Sequence, residues 1–165
     1  MNTLRPLAAT SFLLLPACLD ADDEKDGEEE DGFEHSAFEL ELHDLVNAHR
    51  ESVGLEPLDL EAAYSEIARG HSADMSDGSV AFGHDGFDDR ADEMTAHQPD
   101  LLSVGENVAW ISAGWEAPAE EIVLGWLDSP PHRENIESDF SHGGMGAMQD
   151  ADGGWYATQL FSLEP

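Results

Sequence analysis

Cysteine and positive charge are both nearly missing from this 165-residue chain. Cys18 is the only thiol, so no internal disulfide can form and packing must hold the fold together. No cysteine follows it, which excludes thiol catalysis in the body of the chain. Six Lys and Arg stand against 37 Asp and Glu, for a formal charge of −31 and a pI near 4.1. Nucleic acid is thereby excluded as a partner, because phosphate binding rests on cations that are scarcely present. Long apolar runs are lacking too: the stretch from Leu7 to Ala17 falls short of the roughly 20 residues a membrane-spanning helix takes. There is no phosphate-cradling glycine loop, no Gly-x-Ser-x-Gly elbow and no His-Glu-x-x-His helix. What is present is enough for one ordinary core, since 41% of residues are hydrophobic and four Trp and seven Phe are among them. Fully disordered and collagen-like readings fail on the same grounds.

The first residues read as an export signal. A basic start at Arg5, a short apolar centre and a small residue before an acidic break describe a secretory signal over residues 1–17. Its exit, Leu15-Pro16-Ala17-Cys18, resembles the lipobox of bacterial lipoproteins, which implies lipid attachment at Cys18 and a membrane anchor. The expected location is the cell envelope, the outer membrane if there are two, because Leu19 and not Asp follows the cysteine; the alternative is a plainly secreted protein. Residues 18–35 then form an acidic tether in which Lys25 is the lone cation. Its Asp22, Glu24, Asp26 and Gly27 hint at a calcium loop, but Phe33 stands where a bidentate Glu is required.

Residues 36–165 carry the periodic patterns of a single domain. Ser36 and Glu39 make a capping box, and Phe38, Leu42, Leu45, Val46, His49 and Val53 follow at helical spacing up to Gly54. Asp59 is a good N-cap for a second helix running to Gly78. A glycine-punctuated loop to Gly86 carries His84, and a short helix over 87–94 follows. Residues 101–111 mix strand and turn signals, while Pro118 fits the first turn of a further helix that Ser129, Pro130 and Pro131 stop, starting a short one in its place. Residues 143–148 and 155–163 flank a turn and read as a hairpin. Helices preceding an antiparallel hairpin favour an α+β domain with helices covering a sheet.

Chemistry is left to histidine and carboxylate. His49 and His71 lie on apolar stripes and read as hydrogen-bonded core residues; His35, His43, His97 and His142 read as surface residues. His84 and His132 differ, because each stands in a turn bounded by Gly or Pro that can hold a side chain at a cleft. Glu106, between Gly105 and Asn107 in an apolar segment, is costly there unless paired. Two imidazoles and a carboxylate can coordinate a divalent metal, zinc foremost, and leave a position open for water.

The blocks Asn47-Ala48-His49-Arg50, Ala68-Arg69-Gly70-His71-Ser72-Ala73-Asp74-Met75, Phe82-Gly83-His84, Gly105-Glu106-Asn107, Pro130-Pro131-His132-Arg133-Glu134-Asn135 and Gln159-Leu160-Phe161 resemble a bacterial CAP (SCP-like) domain, of the cysteine-rich secretory protein, antigen 5 and pathogenesis-related 1 superfamily. The resemblance runs through nearly all of residues 40–163 and implies a three-layer α-β-α sandwich with a small antiparallel sheet. It also implies a cleft in which His84, Glu106 and His132 hold a divalent cation. A fourth, acidic cleft member has no clean match, and Asp128 is the nearest carboxylate. The absent disulfides set the chain apart from eukaryotic members and their sterol-binding and receptor-ligand roles. Two functions fit: a cleft-binding module for a cation and a small-molecule, lipid, glycan or peptide ligand, or a metal-dependent hydrolase, either peptidase or esterase. A cleft without function beneath an important acidic shell is the third.

Overall fold

In the computed structural model, which describes residues 32–165, Ser36 and Glu39 close the capping box read from their spacing. The Glu39 backbone N–H donates to Ser36 Oγ at 3.3 Å, and the Ser36 N–H donates to the Glu39 carboxylate at 2.8 Å. They open helix α1 (Ala37–Ser52), and Gly54 turns the chain away with φ of 85°. The signal, Cys18 and the tether as far as residue 31 lie outside the described residues.

Asp59 does not cap the second helix. Asp59–Leu60 form a short strand, β1, because the Asp59 N–H donates to Ser141 O and the Glu61 N–H to Gly143 O; strand pairing across the fold overrides the local preference of Asp for an N-cap. Helix α2 (Ala62–Asp77) therefore begins after Glu61 and ends on left-handed Gly78. Helix α3 (Phe87–His97) runs a turn further than its pattern predicts. Residues 101–111 resolve into a strand, β2 (Ser103–Ile111), which pairs along its whole length with β4 (Trp155–Leu163). Between them come α4 (Pro118–Asp128), α5 (Pro130–Glu137) and β3 (His142–Gln149), with Pro at the start of each helix as expected.

The sheet order is β1-β3-β4-β2, antiparallel except for the β1–β3 pair, which is parallel. Residues of β4 alternate between two cores. Ala157 and Phe161 join Leu42, Val46, Ile122, Trp126 and Ile136 from α1, α4 and α5; Leu160 joins Tyr64, Ala68 and Met94 from α2 and α3. Helices thus cover both faces, and the three-layer sandwich is the observed architecture. Helix α2 sits so close to β3 that a Cβ on Gly144 would collide with the Tyr64 carbonyl carbon, and one on Gly146 with the Arg69 backbone nitrogen. Only glycine permits that approach, and it fixes where α2 delivers the following loop.

The buried face of α1 is rotated from the apolar stripe. Glu39, His43 and Arg50 are buried with Leu42 and Val46, whereas Val53 is exposed. Two histidine readings are corrected accordingly. His43 is buried and bonded to Asn47 Nδ2 at 3.0 Å, while His49 is partly exposed and pairs with Glu137 at 2.8 Å. His71 is a buried, hydrogen-bonded residue as its stripe indicates.

Candidate functional site

Strand β2 is an edge strand, and the cleft forms where elements from both faces reach past it. Glu106 projects from β2 beside α3 and is 6% exposed. Its carboxylate accepts from Arg90 Nε at 2.6 Å on Oε2 and from Arg90 Nη2 at 2.8 Å on Oε1, a fork-to-fork pair, and Oε1 also takes His84 Nδ1 at 2.9 Å. The cost of burying this acid, evident from the sequence, is met by Arg90. In the tautomer that donates Nδ1–H to the carboxylate, His84 has its lone pair on Nε2. The His84 side chain remains half exposed.

Two buried groups shape the loop that presents His84. His71 Nε2 bonds to Gly83 O at 2.9 Å, and Arg90 Nη1 donates to Asp85 O at 3.0 Å, so both neighbours of His84 are tied down. Burial pushes the His71 pKa down, with the Gly83 carbonyl opposing it, and the ring is neutral at neutral pH. Gly86 takes φ of 80° and leaves room for the guanidinium, since a Cβ there would meet Arg90 Nη1 at 3.3 Å.

From the other side α5 supplies His132. Its backbone carbonyl accepts from Asn107 Nδ2 at 3.1 Å, and Asn135 donates to Glu106 O and Asn107 Oδ1 at 3.0 and 2.9 Å. Asn107 and Asn135 thus tie α5 to the strand bearing Glu106. The His84 and His132 rings come to 6.1 Å between centroids. Burial, and then the neighbouring His84, hold the His132 pKa below the ordinary histidine value.

The structure therefore gathers His84, Glu106 and His132 at one place on the β2 edge. Asp128 does not share these contacts; it is exposed at the last position of α4. Among the described residues no group of three or more His, Cys, Asp or Glu is placed to hold a metal ion. Both Glu106 oxygens are already engaged, so the donors that fit a cation are the two imidazoles, with the carboxylate behind one of them. Arg90, His71, Asn107 and Asn135 are the site residues that sequence reasoning missed. The signal for Arg90 was the need of Glu106 for a cation in a segment, residues 32–165, that holds only Arg50, Arg69, Arg90 and Arg133 and no lysine.

Beyond His132 the cleft opens into a groove of about 270 Å³ between β2 and α4, with Phe82, Trp110 and Trp126 among its walls and Glu121 in its lining. No helix among the described residues is long and apolar enough to cross a membrane.

Comparison with known proteins agrees with this architecture. Residues 43–161 match the Cysteine-rich secretory protein family, CAP. "Uncharacterized protein YkwD" of Bacillus subtilis (strain 168) is 35% identical over 117 residues, covering 69% of this chain and 44% of that protein. "Uncharacterized membrane protein YlbC" of the same organism is 32% identical over 126 residues, 74% of this chain and 34% of its own length; the chain spans less than half of either relative. Among solved structures, an extracellular protein containing a SCP domain from Bacillus anthracis str. Ames has TM-score 0.61 and 27% identity, covering 77% of this chain and 40% of that one. An outer surface protein from Borrelia burgdorferi has TM-score 0.63 at 16% identity, covering 81% of this chain and 98% of that one, a likeness of fold alone. With the family matched over most of its length and the α-β-α sandwich in place, the chain belongs to the CAP family.

Proposed function

We propose that this protein is an exported CAP-domain binding module, anchored to the cell envelope through lipid on Cys18, whose cleft holds a divalent cation together with a lipid, glycan or peptide ligand. The observation that carries the reading is the His84–Glu106 hydrogen bond at 2.9 Å, set beside a His132 ring whose centroid lies 6.1 Å from that of His84. A carboxylate behind an imidazole fixes its tautomer and raises its basicity, which is how protein ligands to zinc are commonly arranged. His84 and His132 are the ligands in this reading, Glu106 orients and Arg90 neutralises Glu106. Water would complete the coordination, so the site is exchangeable and of modest affinity. Export is supported by the extracellular SCP-domain relative from Bacillus anthracis and by the signal pattern of residues 1–17.

The binding role is favoured over the hydrolase because the cleft carboxylate is fully engaged and serves no water as base. Calorimetric titration with zinc tests the reading: the parent should bind one ion per chain, and His84→Ala or His132→Ala should lose it. Equal uptake by the double variant would overturn it. Chelator-sensitive cleavage of ester or peptide libraries would establish the hydrolase instead. Cys18→Ser should move the protein out of the membrane fraction; unchanged partitioning would exclude the anchor.

A further inference from the structure

The groove beside His132 is aromatic, open and set in a strongly acidic molecule. Phe82 and Trp110 are 55% and 51% exposed, unusual for rings of their size, and Tyr156 links them at 6.3 Å from each. Interplanar angles of 63° and 51° mean that the rings do not stack face to face on one another. They come from three different elements, the 79–86 loop, β2 and β4, and converge only in the folded chain.

Charge decides what such rings would hold. Each described cation is committed elsewhere: Arg50 to four backbone carbonyls, Arg69 to Glu39, Arg90 to Glu106 and Arg133 to Leu127 O. No lysine occurs in residues 32–165, so no described side chain is left to offset the field of a chain of net charge −31 at this groove. Glu121 stands in the groove lining itself. Anionic ligands are repelled there, while an ammonium or guanidinium group is drawn in and meets ring faces. Strand addition on β2 is restricted, because the Glu106 and Val108 carbonyls already accept from Asn135 Nδ2 and Trp126 Nε1. Recognition must then work through inserted side chains.

We propose that this groove takes Lys or Arg side chains of a basic peptide segment, stacked against Phe82 and Trp110 with Glu121 alongside. The proposal rests on the reading of the cleft as a binding site and names its ligand class.

The test titrates the full chain with acetyl-Lys-Lys-Lys-amide in the presence of EDTA, so that no metal takes part. An acidic surface attracts any polycation, so the decisive comparison is among variants of equal charge. Trp110→Ala and Phe82→Ala should each weaken binding about fivefold, and Trp110→Phe should stay within about twofold of the parent. Circular dichroism and thermal unfolding confirm that each variant is folded. Affinity unchanged in both alanine variants would overturn the proposal, as would tighter binding of chitotriose or of acetyl-Glu-Glu-Glu-amide than of the lysine peptide. Zinc titration of the same proteins keeps the two readings apart. Trp110→Ala should bind zinc like the parent, and His84→Ala should bind the lysine peptide like the parent. A parent that binds zinc but not the lysine peptide overturns the groove proposal alone, and a parent that binds the peptide but not zinc overturns the cation reading alone.

Discussion

Arg50 and Arg90 are both buried, in different regions, and they are satisfied in different ways. In the corner between α1 and α5, Arg50 donates only to backbone: Glu56 O, Ile136 O, Ser138 O and Phe140 O, at 2.7 to 2.9 Å. Beside β2, Arg90 forks onto the Glu106 carboxylate and has one hydrogen bond left for the loop. The first arrangement locks distant chain segments to a helix and leaves the cation without a counter-ion in contact among the described residues; burial lowers its pKa, with the charge of Asp139 opposing. The second leaves most of the surrounding backbone alone and pairs with a buried carboxylate that in turn bonds a histidine. A saturated cation builds structure; a paired one holds a site.

The contrast is broken most severely by Arg50→Met, which strips four carbonyls of their donor at once. A loss of about 4 kcal/mol of stability is expected in urea unfolding, with zinc binding retained by whatever fraction stays folded. A smaller loss should follow Arg90→Met, about 3 kcal/mol, because Glu106 is left buried and unpaired. This variant should also lose zinc affinity, and Arg90→Lys should restore stability better than affinity, since one ammonium cannot reproduce the fork. If Arg90→Met unfolds as easily as Arg50→Met yet binds zinc normally, the division between structure and site is wrong.

Below these in size comes His71→Ala, which removes the ring that bonds Gly83 and so loosens the His84 loop. About a tenfold loss in zinc affinity is expected, the range typical of residues behind a metal ligand. Asp128→Asn lies at the bottom of the scale and should change zinc affinity less than about twofold, because Asp128 has no contact with the cleft pair. A large effect there would restore it as the missing acidic member.

A pH titration sharpens the same comparison at Glu39. Burial works to raise this carboxyl, but the Arg69 guanidinium and the N–H groups of Ser36 and Ala147 win and hold its pKa below the ordinary value of 4.5. A depressed acid contributes stability that is present above the unfolded pKa and is lost as pH falls through the folded one. The parent should therefore be more stable than Glu39→Gln above pH 4.5, with the gap closing below it. A gap that persisted at low pH would show that packing, not charge, distinguishes the two.

Legibility in the sequence followed physical locality. The capping box at Ser36, the glycine stop at Gly54, the proline starts at Pro118 and Pro130 and the closing hairpin depend on neighbours a few residues apart, and all are where the pattern puts them. Asp59 and the burial of His43 escape a local reading because what decides them is distant: Ser141 and Gly143 at the start of β3, and a face of α1 that is buried through polar groups. A hydropathy stripe cannot mark a face whose buried residues include Glu39, His43 and Arg50. His84, Glu106 and His132 were found by the resemblance and by local context, yet the partner that neutralises Glu106, Arg90, was not, since an arginine on an amphipathic helix looks like any solvated one.

By itself the sequence determined the α+β class, the family and which three residues to look for in a cleft, because periodicity, caps and motif order are local properties of the chain. Only the tertiary structure decided that Glu106 is bound to Arg90, that His71 and Asn135 hold the two histidine-bearing segments, and that Phe82, Trp110 and Tyr156 meet. Those facts turn on distances between residues far apart in the chain, which no spacing along it encodes.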